Sequence, residues 1–173
     1  DEHVPQRLSE AGLTNDQVQI AWLKTAISSP GLDEETMNFP DDALKLKEYE
    51  KLIIDLLKEE FPNLKLVYVA GRSYAGCAKT NLNPEPYAYQ SGFAAKWLIE
   101  DYIENQDEQF WVGWGPYFWA DGTNPRGDGL TWSCSDYRDD DGTHPTQQGM
   151  EKAADLLNEF FSNDITSKDW YLG

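Results

Sequence analysis

Hydrophobic residues recur three or four apart over 41–61, DDALKLKEYEKLIIDLLKEEF, at Leu46, Tyr49, Ile53, Leu56, Leu57 and Phe61, which predicts a helix. Asp41 and Asp42 stand in its first turn, where negative charge complements the helix dipole, and Pro62 ends it. The next stretch, LKLVYVAG (64–71), is a continuous β-type run of the sort buried on both faces of a parallel sheet. Upstream, DQVQIAWLKTA sets Val18, Ile20 and Trp22 against Gln17, Gln19 and Ala21. This period of two predicts a strand, although a helix capped by Asn15 accommodates the same residues. Strand, helix and strand at this spacing form a βαβ crossover.

The same patterning continues in both directions. DEHVPQRLSEAGL reads as a short opening helix with Val4, Leu8 and Leu13 on its apolar side, ending near Gly12. Residues 28–40, with two prolines, read as a loop. Over 86–106 a second amphipathic helix places Phe93, Trp97, Leu98, Tyr102 and Ile103 on or near one face. FWVGWGPYFWADG (110–122) starts as a strand and becomes a Gly/Pro/aromatic loop. A long loop follows to residue 144, of the length that is usually functional or disordered. Thr146 then caps a last helix over 147–162, with Met150, Ala153, Ala154, Leu157, Phe160 and Phe161 inward, and residues 165–173 drape on the surface. The expectation is an α/β fold, with about three parallel strands flanked by helices and functional loops at the strands' carboxyl ends.

Composition narrows the function classes. A chain of 173 residues is one domain or a large part of one. With 14 basic against 31 acidic residues the formal charge is −17, and no basic stripe interrupts it, which argues against polyphosphate partners, so nucleic acid is not an expected ligand. No run approaches the ~18 apolar residues that span a membrane, and no signal peptide is visible. The opening residues lack an initiator Met, which suggests a processed or truncated chain. Cys77 and Cys134 fit either a disulfide in an oxidising compartment or two free thiols.

Candidate chemistry concentrates in DDDGTHPT (139–146). Asp141 and His144 are three apart, with Gly142 between them to let the backbone turn. That spacing brings a carboxylate to imidazole Nδ1, orienting the ring and leaving Nε2 to take a proton from a hydroxyl. A solvated acidic turn is the competing reading. A Ca²⁺ loop built on Asp136, Asp139, Asp140 and Asp141 lacks the spacing and downstream Glu of an EF-hand, and a zinc site would need His3 at the terminus. No metal or other cofactor is expected. Ser73, in VYVAGRSYAG, follows a strand as a nucleophile would, but YAGCAKTNLNPEP does not start the helix that a nucleophile elbow requires. Trp114, Tyr117, Trp119 and Trp132 lie in the aromatic loops and are candidates to wall a substrate cleft near His144, with Trp119 and Trp132 the substrate-binding candidates. The triplet Arg126-Gly127-Asp128 is too short to carry meaning.

The block DGTHPTQQGMEKAADLLNEFF resembles the last block of the SGNH (GDSL-like) hydrolases: Asp-x-x-His-Pro, then a small residue, two positions and Gly, then a closing amphipathic helix. The preceding order of strand, loop, helix and strand also fits, and the resemblance covers most of the chain. It implies a flavodoxin-like architecture and a serine esterase, with His144 as general base and Asp141 as its orienting acid. The substrate it suggests is a small-molecule or carbohydrate ester, and the strongly acidic balance favours a neutral polyol over an anion. The family's nucleophilic Ser block and its first oxyanion Gly block have no counterpart here. At the end of VQIAWLK, where its Asn block would fall, stand Lys24, Thr25 and Ala26. The resemblance therefore implies the C-terminal part of such a domain, lacking its N-terminal strands, with the nucleophile outside this chain. A secreted protein, extracellular or periplasmic, is expected, assembled with an N-terminal partner chain or as a homo-oligomer. The alternative class is an inactive hydrolase-derived binding or assembly module.

Overall fold

The computed structural model describes residues 3–32, 38–105 and 110–173. Its sheet has three parallel strands in the order β1 (Ile20–Lys24), β2 (Leu66–Ala70) and β3 (Trp111–Trp114). Among the described residues five α-helices accompany it: α1 (His3–Glu10), α2 (Asp41–Glu60), α3 (Tyr87–Asn105), α4 (Gln147–Asn163) and α5 (Lys168–Tyr171). The α/β expectation holds, with a three-stranded parallel sheet between helices. β1 is a strand rather than the alternative helix, although Asn15–Gln17 forms a single 3-10 turn before it.

β2 is buried along its whole length because both its faces are covered. Val67 and Val69 pack into one cluster with Ile54 of α2 and Ala95, Leu98 and Ile99 of α3. Tyr68 faces the other way, with its ring 5.3 Å from Phe160 and 5.6 Å from Phe161 on α4. Ala70 joins Phe118, Ala120, Trp132 and Tyr137 in a second cluster beneath Ala153, Leu156 and Leu157 of α4. So α2 and α3 cover one face, and α4 with the long loop covers the other. The outer edge of β1 pairs with no strand among the described residues.

Several inward positions differ from the pattern reading. On α2 the buried stripe is Asp42, Ala43, Leu46, Glu50 and Ile54, whereas Tyr49 and Leu56 are exposed. On α3 the inward residues are mostly small, Ala88, Ser91, Ala94 and Ala95 with Leu98, because a helix lying close on a sheet leaves little room. Phe93 and Trp97 instead stack with each other and with Phe39, and Ile103 is exposed. Val4, Leu13 and Met150 are exposed as well. The tail is not merely draped: Trp170 of α5 stacks on Phe161 at 5.5 Å. No helix among the described residues is long and apolar enough to cross a membrane.

Candidate active site

The site is built at the carboxyl ends of the strands, where loops are free of the sheet's hydrogen bonding. The loop to His144 is held as a closed turn. Tyr137 bridges Pro145 in antiparallel fashion, Arg138 N–H donates to the His144 carbonyl at 2.8 Å, and Thr146 N–H donates to the Asp136 carbonyl at 2.9 Å. Gly142 sits at φ +64°, and a Cβ there would lie 1.9 Å from the Cys77 carbonyl oxygen, so only glycine fits. Thr146 caps α4 as its sequence predicts, accepting from Gly149 N–H at 3.3 Å.

Asp136 anchors this turn from beneath. Its side chain is fully buried, with Oδ2 accepting from Lys152 Nζ at 2.6 Å and from Ser133 N–H at 2.8 Å. Burial by itself pushes its pKa up, but the Lys152 and Ser133 hydrogen bonds outweigh that and hold it below the usual range. A disulfide between Cys77 and Cys134 ties the loop after β2 to the same turn. Asp140 pairs with Arg138, so Asp136 and Asp140 are each committed to a cation, and no group of three metal-ligating side chains occurs among the described residues.

The Asp141–His144 pair forms as its spacing predicts. His144 Nδ1 lies 2.6 Å from Asp141 Oδ2, and Asp141 Oδ1 accepts from the backbone N–H of Thr143 at 2.7 Å and of His144 at 2.8 Å. The His144 side-chain hydrogen bond, followed by these backbone donors, holds the Asp141 carboxyl well below its ordinary range. An ionised carboxylate only accepts, so Nδ1 carries the imidazole proton and Nε2 is left as an acceptor. Asp141 thus fixes the ring and leaves Nε2 of His144 able to take a proton from a hydroxyl.

His144 lines a cavity of about 430 Å³ with Lys24 at the end of β1, Arg72 and Ser73 just past β2, and Trp132 and Tyr137 of the long loop. Trp132 is a structural wall of this cavity, buried and donating its indole N–H to the Phe118 carbonyl at 2.7 Å. Trp119 lies elsewhere: its indole donates to Glu85 Oε1 at 2.9 Å, its ring packs 4.7 Å from Tyr89, and it is not among the cavity's lining residues. Trp114 and Tyr117 line a separate groove against Tyr89 and Phe93 of α3. The Arg126-Gly127-Asp128 triplet is an internal brace, with Arg126 paired to Asp128 and its Nη1 donating to the Tyr117 carbonyl at 2.6 Å.

Comparison of the chain with protein-family models, curated proteins and solved structures finds no match. The geometry of the site therefore carries the functional argument alone. Ser73 shares the cavity with His144, but the residues after it form turns rather than a helix, and no hydrogen bond joins the two side chains among the described residues. Sequence reasoning passed over Arg72, Asn83 and Tyr137, which also line the cavity. For Arg72 a signal was present, since it lies two residues beyond the end of a buried parallel strand, where ligands of such sheets bind.

Proposed function

We propose that this chain carries the general-base half of an SGNH-type serine ester hydrolase of flavodoxin-like architecture, acting on an acyl ester of a carbohydrate or related small alcohol. The observation that carries the reading is the Asp141–His144 pair, formed at hydrogen-bond distance beside a cavity at the carboxyl edge of a parallel sheet. In the reaction a serine hydroxyl attacks the ester carbonyl while Nε2 of His144 takes its proton. The imidazolium, stabilised by Asp141, returns that proton to the departing alkoxide, leaving an acyl-serine. Water then repeats the cycle, its proton passing through Nε2 to the serine as the acid is released.

The serine is supplied from outside these 173 residues. The outer edge of β1, which pairs with no strand among the described residues, supports this, because a strand added there would end beside Lys24 and the cavity. A secreted location is supported by the Cys77–Cys134 disulfide, which persists in oxidising compartments. Ser73 is the second reading for the nucleophile, favoured by its place in the same cavity.

Fluorophosphonate labelling separates these readings, since only an activated serine reacts. The 173-residue chain alone should stay unlabelled. Expressed with the residues encoded upstream of Asp1, it should label on a serine in that added part and lose labelling with His144→Ala. Labelling of the 173-residue chain that disappears with Ser73→Ala would refute the external serine. Absence of labelling in both forms would leave the binding or assembly module as the better reading.

A further inference from the structure

The cavity beside His144 has an electrostatic character opposite to that of the whole protein. With 31 acidic residues and a net charge of −17, carboxylates abound, yet none of the described residues lining this cavity is Asp or Glu. Two cations line it, Lys24 and Arg72, and neither has an ion pair among the described residues. Arg72 Nε is buried without a hydrogen-bond partner among the described residues. Lys24 Nζ rests 5.9 Å from the centroid of the Phe118 ring. Unpaired charge is costly to bury, so an arrangement of this kind is stable mainly when something anionic completes it.

Two further orphan atoms belong to the same wall. Asn83 is 3% exposed and spends its amide N–H on the Ile27 carbonyl at 3.1 Å, which leaves Oδ1 unpartnered. Tyr137 is equally buried, and its hydroxyl, which interacts with the Ser73 side chain, makes no hydrogen bond of normal geometry among the described residues. One donor-only cation pair, one pure acceptor and one hydroxyl are thus collected in one cavity with part of their hydrogen-bonding capacity unspent.

We propose that this cavity is a subsite for a hydroxylated organic acid, with Lys24 and Arg72 taking its carboxylate and Asn83 Oδ1 and the Tyr137 hydroxyl taking its hydroxyl groups. The inference rests on the ester-hydrolase reading for what the subsite serves: it makes the substrate an ester of a sugar acid, its own carboxylate free, rather than of a neutral sugar. Burial lowers the Lys24 pKa to about 8, with the Arg72 charge adding to the effect, so a bound carboxylate would relieve a strain that both cations share. Trp132 and Phe118 supply apolar faces against which a ring can lie.

The test is calorimetric titration of the 173-residue chain with glucuronate and with glucose at low salt, which reads binding without turnover. Glucuronate should bind at least about tenfold more tightly than glucose, a difference of about 1.4 kcal/mol, and sulfate should displace it. Lys24→Gln and Arg72→Gln should each weaken glucuronate by about tenfold or more. Lys47→Gln, which removes a surface cation paired with Asp101, should leave it unchanged. Equal binding of glucuronate and glucose would overturn the proposal, as would wild-type affinity in Lys24→Gln. If Arg72→Gln does not fold, the Lys24 variant and the sulfate competition decide the matter. Failure of serine labelling would refute the hydrolase reading without touching this result, and loss of the glucuronate preference would refute the subsite without touching the labelling.

Discussion

Glu50 is a carboxylic acid inside the α2–α3 layer, and its stability cost can be measured directly. The residue is 1% exposed, lies one helical turn from Leu46 and Ile54, and leaves Oε2 without a hydrogen-bond partner among the described residues. Burial raises its pKa from 4.5 to about 8. A raised folded pKa means that the native state favours the protonated form. The associated stability is fully present below pH 4.5 and is lost as pH rises through about 8. At pH 7 the native side chain is still mostly protonated while the unfolded one is ionised. The cost of about 2.5 pH units at about 1.4 kcal/mol per unit is roughly 3.5 kcal/mol. Glu50→Gln keeps the shape and removes the titration, though a buried amide keeps a desolvation cost of about 1–3 kcal/mol. The net gain at pH 7 is therefore expected to be about 0.5–2.5 kcal/mol, and the clearer signature is the slope. Urea unfolding at pH 5, 6, 7 and 8, with the disulfide intact, should show the wild type losing stability against the variant by about 1 kcal/mol per pH unit. Parallel stability curves for the two proteins across that range would refute the argument. Asp42, raised to about 6 by burial on the same helix face, contributes in the same direction at lower pH and cancels in the comparison.

Two further perturbations test how the site is held. Replacing Cys77 and Cys134 by Ser opens a loop closed over a separation of 57 residues, for which chain entropy gives about 4 kcal/mol; thermal melts should fall by roughly 10 °C, and a fall of under about 2 °C would show that the bond constrains little. Gly142→Ala places a methyl against the Cys77 carbonyl at a positive φ, so it should cost about 1–3 kcal/mol and shift the His144 imidazole resonances in NMR spectra, whereas unchanged resonances would show that the turn does not set the pair's geometry.

Short-range chemistry made much of this protein legible. The Asp141–His144 contact lies within one turn, so the residue types and the glycine between them were enough to predict it, and the structure forms it at 2.6 Å. The strands and long helices were readable because periodicity is a local property. Which helix face points inward was less so. Glu50 and Asp42 are polar residues on the buried stripe of α2, and a hydrophobicity pattern counts such positions as outward. On α3 the inward face is chosen by how close the helix lies to the sheet, which selects alanine and serine over the aromatic side that the pattern favours.

By itself the sequence determined the α/β class, the strand and helix order, the cap at Thr146 and the acid–histidine pair, all of them set by residues within a few positions of one another. Only the tertiary structure decided that Cys77 meets Cys134, that Trp132 walls the cavity while Trp119 packs on Tyr89, and that Lys24 and Arg72 converge from two neighbouring strands beside His144. The physical reason is the parallel sheet: each strand is reached by a long crossover, so residues some fifty positions apart are brought together by hydrogen-bond register, and nothing in their local spacing announces it.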